Sequence, residues 1–354
     1  MTIKTFQLEY DAINSRNTFT NGDTINGRIV LETDKEMKIQ SLEFLAKGKA
    51  SVCWTEYYGD NQSHVYWSDE KYYSIQQHIL RESRQDGSEI IGKGKHLFPF
   101  SFKIPEERMP SSFYSTIGRV VHKLKAELKQ SMKLKKKTKV HFKFVSRADM
   151  DVPRLMVPQH GCKDKRLAFG SGTVSFDVCI DKTGYKPGEA ITVTTEINNQ
   201  SSRLVKPKLI LYERRSFFAQ GRRKLETRQV LKAKADGVDP NSGKRTVAKV
   251  IPIPTELSPS IMNCSIIKLE YRLQVYLDIK FSSNPGIKAP IIILPEVLDM
   301  RHLPPSYSDF GFEAFGNPAP PTRGTTPQAT EPPPSYETSA MYPAFPSVDY
   351  KTAM

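Results

Sequence analysis

Apolar and polar positions alternate with a period of two through much of residues 1–297. Ile25–Glu32 (INGRIVLE), Ile39–Ala46 (IQSLEFLA) and Lys95–Ile104 (KHLFPFSFKI) all follow this pattern, and in the last Phe98, Phe100 and Phe102 share one side. Thr173–Ile180, Ala190–Ile197, Pro207–Glu213, Cys264–Ile279 and Ala289–Leu294 continue it. Successive side chains of a strand point to opposite faces. This period, with turn residues between the runs, therefore predicts antiparallel sheets packed as sandwiches.

The pattern also repeats at long range. Aligned on Gly22 and Gly188, Thr18–Val30 and Lys182–Thr194 share an aromatic, a glycine followed by an acid, an isoleucine and an alternating strand. Each glycine is placed in the turn before a strand, and further strands follow, SLEFLA in one copy and KLILYE in the other. Two copies about 166 residues apart imply two similar sandwiches in tandem rather than a solenoid. The expected boundaries are 1–148 for the first lobe, 149–168 for a linker, 169–297 for the second lobe and 298–354 for a tail.

One stretch reads two ways. In Arg119–Lys139, Leu124, Leu128 and Met132 recur every four residues, as on a basic amphipathic helix. Read as strands, Val121, Lys123 and Lys125 lie on one face and His122, Leu124, Ala126 and Leu128 on the other. The β context favours strands.

Charge divides the chain. The whole carries +14, whereas 298–354 holds Arg301, Arg323 and Lys351 against six carboxylates, so the body is strongly basic and the tail acidic. That body points to anionic partners. Between Arg119 and Arg147 stand 11 Lys or Arg and one acid, Glu127. Within this run Lys133, Lys135, Lys136, Lys137 and Lys139 are candidate contacts for such a partner. The readings that stay open are a solvated edge that blunts sheet-to-sheet pairing, a lipid or phosphoprotein contact, and a nucleic-acid surface. Arg214, Arg215, Arg222, Arg223 and Lys224 form a second cluster under the same readings.

The sequence makes no case for catalysis. Gly87–Gly94 (GSEIIGKG) lacks the Ser or Thr that a phosphate loop places after its lysine, and it leads into a strand instead of a helix. The seven histidines are scattered and read as ordinary surface or strand residues. Cys53, Cys162, Cys179 and Cys264 are far apart, without the paired spacing of a zinc or redox motif. No cofactor and no metal are expected. The N-terminus has no apolar run of a signal peptide, and no stretch approaches a membrane span. A protein in the cytoplasm, soluble or peripheral to a membrane, is expected.

The tail holds 11 of the 25 prolines and few apolar residues, so it is expected to be disordered. It carries Pro304-Pro305-Ser306-Tyr307 and Pro333-Pro334-Ser335-Tyr336. A P-P-x-Y segment is a short, pre-ordered polyproline II turn followed by an aromatic anchor. The prolines dock between the rings of a WW-domain groove, and the tyrosine reaches a second pocket. Two copies permit avidity of about 10²–10⁴ toward a partner with several WW domains. Tyr307–Phe310 and Tyr342–Phe345 also fit a tyrosine-based sorting tetrapeptide, a pattern common by chance.

Together these residues resemble the alpha-arrestins over nearly the whole chain. The resemblance is carried by Phe6–Tyr10, the turn-strand Phe19–Gly27, Tyr185–Glu189, Leu97–Pro105, Ile266–Tyr271 and above all the paired P-P-x-Y motifs. It implies an all-β fold of two arrestin-like, immunoglobulin-like antiparallel sandwich lobes followed by a disordered proline-rich tail. It also implies a non-enzymatic adaptor. The tail would recruit Nedd4-type HECT ubiquitin ligases through their WW domains, and the lobes would engage membrane receptors or transporters bound for endosomes and lysosomes. The family's thioredoxin-binding member uses a second-lobe cysteine upstream of Ile266–Tyr271. Here residues 237–249 hold Ser242 and no cysteine, so thioredoxin is not an expected partner. The competing readings are a nucleic-acid-binding β-protein that recruits WW-containing factors and a retromer-type sorting scaffold.

Overall fold

In the first lobe, alternating sequence becomes two facing sheets with the apolar sides inward. The computed structural model describes residues 3–59, 62–80, 89–130, 133–147, 152–168 and 172–295. The expectations for 298–354, including Pro304, Pro305, Tyr307, Pro333, Pro334 and Tyr336, lie outside them. The first-lobe strands are β1 (Ile3–Tyr10), β2 (Thr18–Phe19), β3 (Thr24–Thr33), β4 (Met37–Ile39), β5 (Ser41–Tyr58), β6 (Gln62–Leu80), β7 (Glu89–Ile91), β8 (Gly94–Lys103), β9 (Phe113–Tyr114), β10 (Gly118–Lys129) and β11 (Lys136–Phe144). One sheet runs β1-β3-β8. The other runs β2-β11-β10-β5-β6 with β9 beside β10, and β4 pairs β7.

After the single turn of helix α1 (Val152–Leu155) come β12 (Gln159–Arg166), β13 (Gly172–Ile180), β14 (Gly184–Tyr185), β15 (Ala190–Ser201), β16 (Val205–Ala219), β17 (Arg222–Lys234), β18 (Gly243–Pro252), β19 (Ile267–Ile279) and β20 (Gly286–Ile293). Their sheets run β12-β13-β15-β18 and β14-β20-β19-β16-β17. This is the strand order of the first lobe again, without counterparts of β4, β7 and β9 and with β12 added at an edge.

The repeat seen in the sequence is a repeated piece of geometry. Phe19 and Tyr185 are both buried, as are Ile25 and Ile191. Gly22 and Gly188 both take positive φ, 79° and 85°, where a side chain is strained. The Gly22 amide donates to the Ile104 carbonyl and the Gly188 amide to that of Ile253, each at 3.2 Å. Asp23 accepts the Thr20 amide, and Glu189 the Lys186 amide. The acid after each glycine closes its own turn.

The sheets are antiparallel, as expected, apart from one two-residue pair in each lobe. β2 pairs β11, and β14 pairs β20, in parallel. Each two-residue strand precedes the turn that carries the chain into the opposite sheet, so it meets its lobe's last strand running the same way. The proposed linker 149–168 is also not all connection. Gln159–Arg166 is β12, in register with β13 from Gln159↔Ile180 to Arg166↔Thr173.

Residues 119–139 are strands rather than a helix. β10 pairs β5 on one side and β11 on the other. His122, Leu124, Ala126 and Leu128 face the core at 0% exposure, as the strand reading places them. The far halves of β5 and β6 leave their own lobe. Ala50, Val52, Trp54 and Tyr66, with Phe113 and Val120, belong to one apolar core with Phe217, Ile267, Leu269 and the rest of the second lobe. Gly118 lets this happen, because a β-carbon there would sit 2.8 Å from the Phe217 ring. At the rim Glu70 accepts the Ser265 amide at 2.8 Å, and the Tyr72 hydroxyl donates to Cys264 Sγ at 3.2 Å.

Candidate interaction surface

The basic residues converge on the outer face of β5, β10 and β11. Because alternate residues of β10 fill the core, those between them point out, and register brings their neighbours alongside. Lys123 lies opposite Lys47 on β5 and His141 on β11. Lys125 lies opposite Lys139, Val121 opposite Lys49, and Glu127 opposite Lys137. The charges are close enough to perturb one another. The Lys123 ammonium titrates lower than usual because it is partly buried and because Lys49, Lys139, Lys125 and Lys47 surround it. Burial also lowers the His141 imidazole, with Lys123, Lys139 and Arg119 adding to the effect.

All five predicted lysines, Lys133, Lys135, Lys136, Lys137 and Lys139, are exposed. Among the described residues, only Lys135 of the five is ion-paired, to Glu127 at 3.5 Å; Lys125 contacts the same carboxylate. The β2 pairing covers only Lys143 and Phe144 of β11. The lysines therefore also line a largely open sheet edge, where they disfavour pairing with a foreign strand. Phe142 and Phe144 are core residues and offer nothing to a base. Lys47 and Lys49 escaped the sequence reading because they stand some seventy positions before their partners. The polar alternation of β5 was their only signal.

Two members of the second cluster, Arg215 and Arg223, are spent on the fold. Arg215 and Arg228 pair with Glu213, a carboxylate 3% exposed. The Arg215 guanidinium also lies 5.8 Å from the Phe113 ring centre, across the lobe junction. Arg223 donates to the Ser216 hydroxyl at 2.7 Å.

The scattered histidines include one exception. His122 is wholly buried, held by the Pro110 carbonyl at Nε2 and the Tyr73 hydroxyl at Nδ1, both at 3.2 Å. Burial pushes its pKa down to about 4. Glu89–Ile91, inside the glycine-lysine stretch, is strand β7, paired to β4. A cleft of about 520 Å³ between the lobes is lined by Ser111, Ser112, Lys143 and Thr255–Pro259 among others. Ser111 and Ser112 use their hydroxyls to accept the amides of Ser146 and Phe144. Among the described residues no cluster of three or more His, Cys, Asp or Glu could hold a metal, and no helix is long and apolar enough to cross a membrane.

Comparison with known proteins identifies the architecture. Residues 6–151 match the arrestin (or S-antigen) N-terminal domain, and residues 170–296 the arrestin C-terminal domain. Arrestin domain-containing protein 4 of Mus musculus is 30% identical over 305 residues, which is 84% of this chain and 71% of the relative. The chain belongs to the alpha-arrestin family. Another relative of this alpha-arrestin is the human thioredoxin-interacting protein, 26% identical over 84% of the chain and 75% of its own length. Relatives in the arrestin family are non-enzymatic adaptors that bind partner proteins. In this alpha-arrestin Ser242 stands just before β18, its hydroxyl donating to the Asp239 carbonyl. Cys264 is buried at the lobe junction, with its thiol pKa raised by burial.

Proposed function

We propose that this alpha-arrestin recruits Nedd4-type HECT ubiquitin ligases to membrane receptors or transporters, promoting their ubiquitination, endocytosis and sorting to endosomes and lysosomes. The observation that carries this reading is the pair of identical P-P-S-Y motifs, Pro304–Tyr307 and Pro333–Tyr336, on a chain of the arrestin family. The division of labour follows from chemistry. The tail motifs supply pre-ordered proline turns with tyrosine anchors, and the lobes supply a folded, basic body. Such a protein works at the cytoplasmic face of the plasma membrane and of endosomes.

The test is binding of the full chain to a tandem WW fragment of a Nedd4-type ligase. Tyr307→Ala and Tyr336→Ala should each weaken binding, and the double change should lower it by about 10²-fold or more as avidity and contact are lost together. Binding indifferent to both tyrosines would remove this reading. Phosphorylation of either tyrosine should act like its removal, because it places charge on a ring that must be buried.

A further inference from the structure

We propose that the segment 133–137, where the chain enters β11, inserts into anionic phospholipid bilayers, with Leu134 as the buried anchor and Lys133, Lys136 and Lys137 as the headgroup contacts. This rests on reading the basic segment as an anionic-partner contact, and it commits that contact to a membrane.

Leu134 carries the argument. Its exposure is 93%, among the highest of the large apolar side chains in the described residues, and it stands between Lys133 and Lys135. An isolated apolar side chain on a surface needs no explanation by itself. Here it is ringed by cations that are mostly unpaired, beside a sheet face that concentrates Lys47, Lys49, Lys123, Lys125 and Lys139. The combination matches the interface of a bilayer, where an apolar residue sinks below the headgroups while lysine stems lie along apolar surface and their ammoniums reach phosphate. The turn end of β10 is anchored to the rest of the lobe. The Gln40 amide donates to the Lys129 carbonyl at 2.8 Å, and the buried Gln130 side-chain amide donates to Met37 Sδ at 3.9 Å.

A nucleic acid fits less well. Stacking would need exposed aromatics beside the lysines, and Phe142 and Phe144 are buried. Exposed Trp67 and Tyr114 lie at the other end of the sheet, near Cys53 and Arg119, with the length of β10 between them and Leu134.

The experiment is sedimentation of the full chain with phosphatidylcholine vesicles, with and without phosphatidylserine. Binding should require phosphatidylserine and weaken with added salt. Each lysine is worth about fivefold, so Lys133→Gln, Lys136→Gln and Lys137→Gln together should cut partitioning about a hundredfold. Leu134→Ser should cut it about tenfold while leaving the salt dependence intact. All four residues are exposed, so thermal melts should not move. WW-fragment binding, measured on the same variants, should not change, which separates this proposal from the tail reading. Absence of phosphatidylserine-dependent sedimentation overturns the proposal. So does sedimentation that Leu134→Ser leaves unaltered. Capture of an acidic peptide or an oligonucleotide by the same lysines, without vesicle binding, overturns it as well and gives the face to that partner.

Discussion

His122 shows how one residue sets a pH limit on the fold. The Pro110 carbonyl can only accept, so Nε2 carries the proton and Nδ1 accepts from Tyr73. A second proton, on Nδ1, would turn the Tyr73 hydroxyl from donor to acceptor and cost the bond it donates, and burial holds the ring neutral down to about pH 4. The unfolded chain binds that proton below pH ~6.5. The histidine therefore costs nothing above that value, and stability falls as pH drops from ~6.5 toward 4, by roughly 3 kcal/mol in all. Denaturant titrations at stepped pH should show this slope, and His122→Phe should flatten it. The variant should also lose about 1–3 kcal/mol at neutral pH, because the Tyr73 hydroxyl is left without its acceptor. A slope unchanged in the variant would move the effect to other groups.

Among the elements, the turn glycines carry a parallel expectation. Gly22 has room for a methyl group, with the nearest atom at 3.5 Å, and at Gly188 the Thr255 methyl, 3.3 Å away, need give by only a few tenths of an ångström, so the cost of alanine is mainly conformational. Gly22→Ala and Gly188→Ala should each destabilise by about 1–2 kcal/mol, read as shifts of the urea midpoint. A neutral result at either would mean that the turn relaxes. These turns were legible in the sequence because glycine, acid and aromatic stand at fixed offsets. β10 was legible because its inward residues are apolar and its outward ones charged. β12 and β17 were not. QHGCKDKR and RRKLETRQVLKAK lie on sheet edges with little or no side chain in the core. Ladder hydrogen bonds hold such strands, and those leave no mark on composition. β6 was missed for a different reason. A register shift at Gly48/Lys49, which leaves Tyr72 unpaired, breaks its alternation, so Tyr66 and Tyr73 both face inward although they are an odd number of positions apart. The basic face was half legible, because only the β10–β11 part of it is continuous in sequence.

At the scale of the whole molecule, the core shared between lobes predicts that they unfold together. Gly118→Val forces a side chain into the Phe217 ring and should lower the melting of both lobes by the same amount, at a cost of about 1–3 kcal/mol. Calorimetry with two transitions, only one of them shifted, would contradict this coupling. A first lobe expressed alone would expose Val52, Trp54, Tyr66 and Phe113, and should aggregate. The parallel strand pairs have a different consequence. In each lobe a segment near its beginning, Phe19 or Tyr185, accepts the amide of a residue at its end, Val145 or Leu294, both at 2.8 Å. These bonds close each lobe into a loop, from Phe19 to Val145 and from Tyr185 to Leu294, with β1 or β13 left outside the loop and paired to β3 or β15. The same clasp closes both lobes, so each can fray at that outer strand without opening the loop that the hydrophobic seam joins to its neighbour.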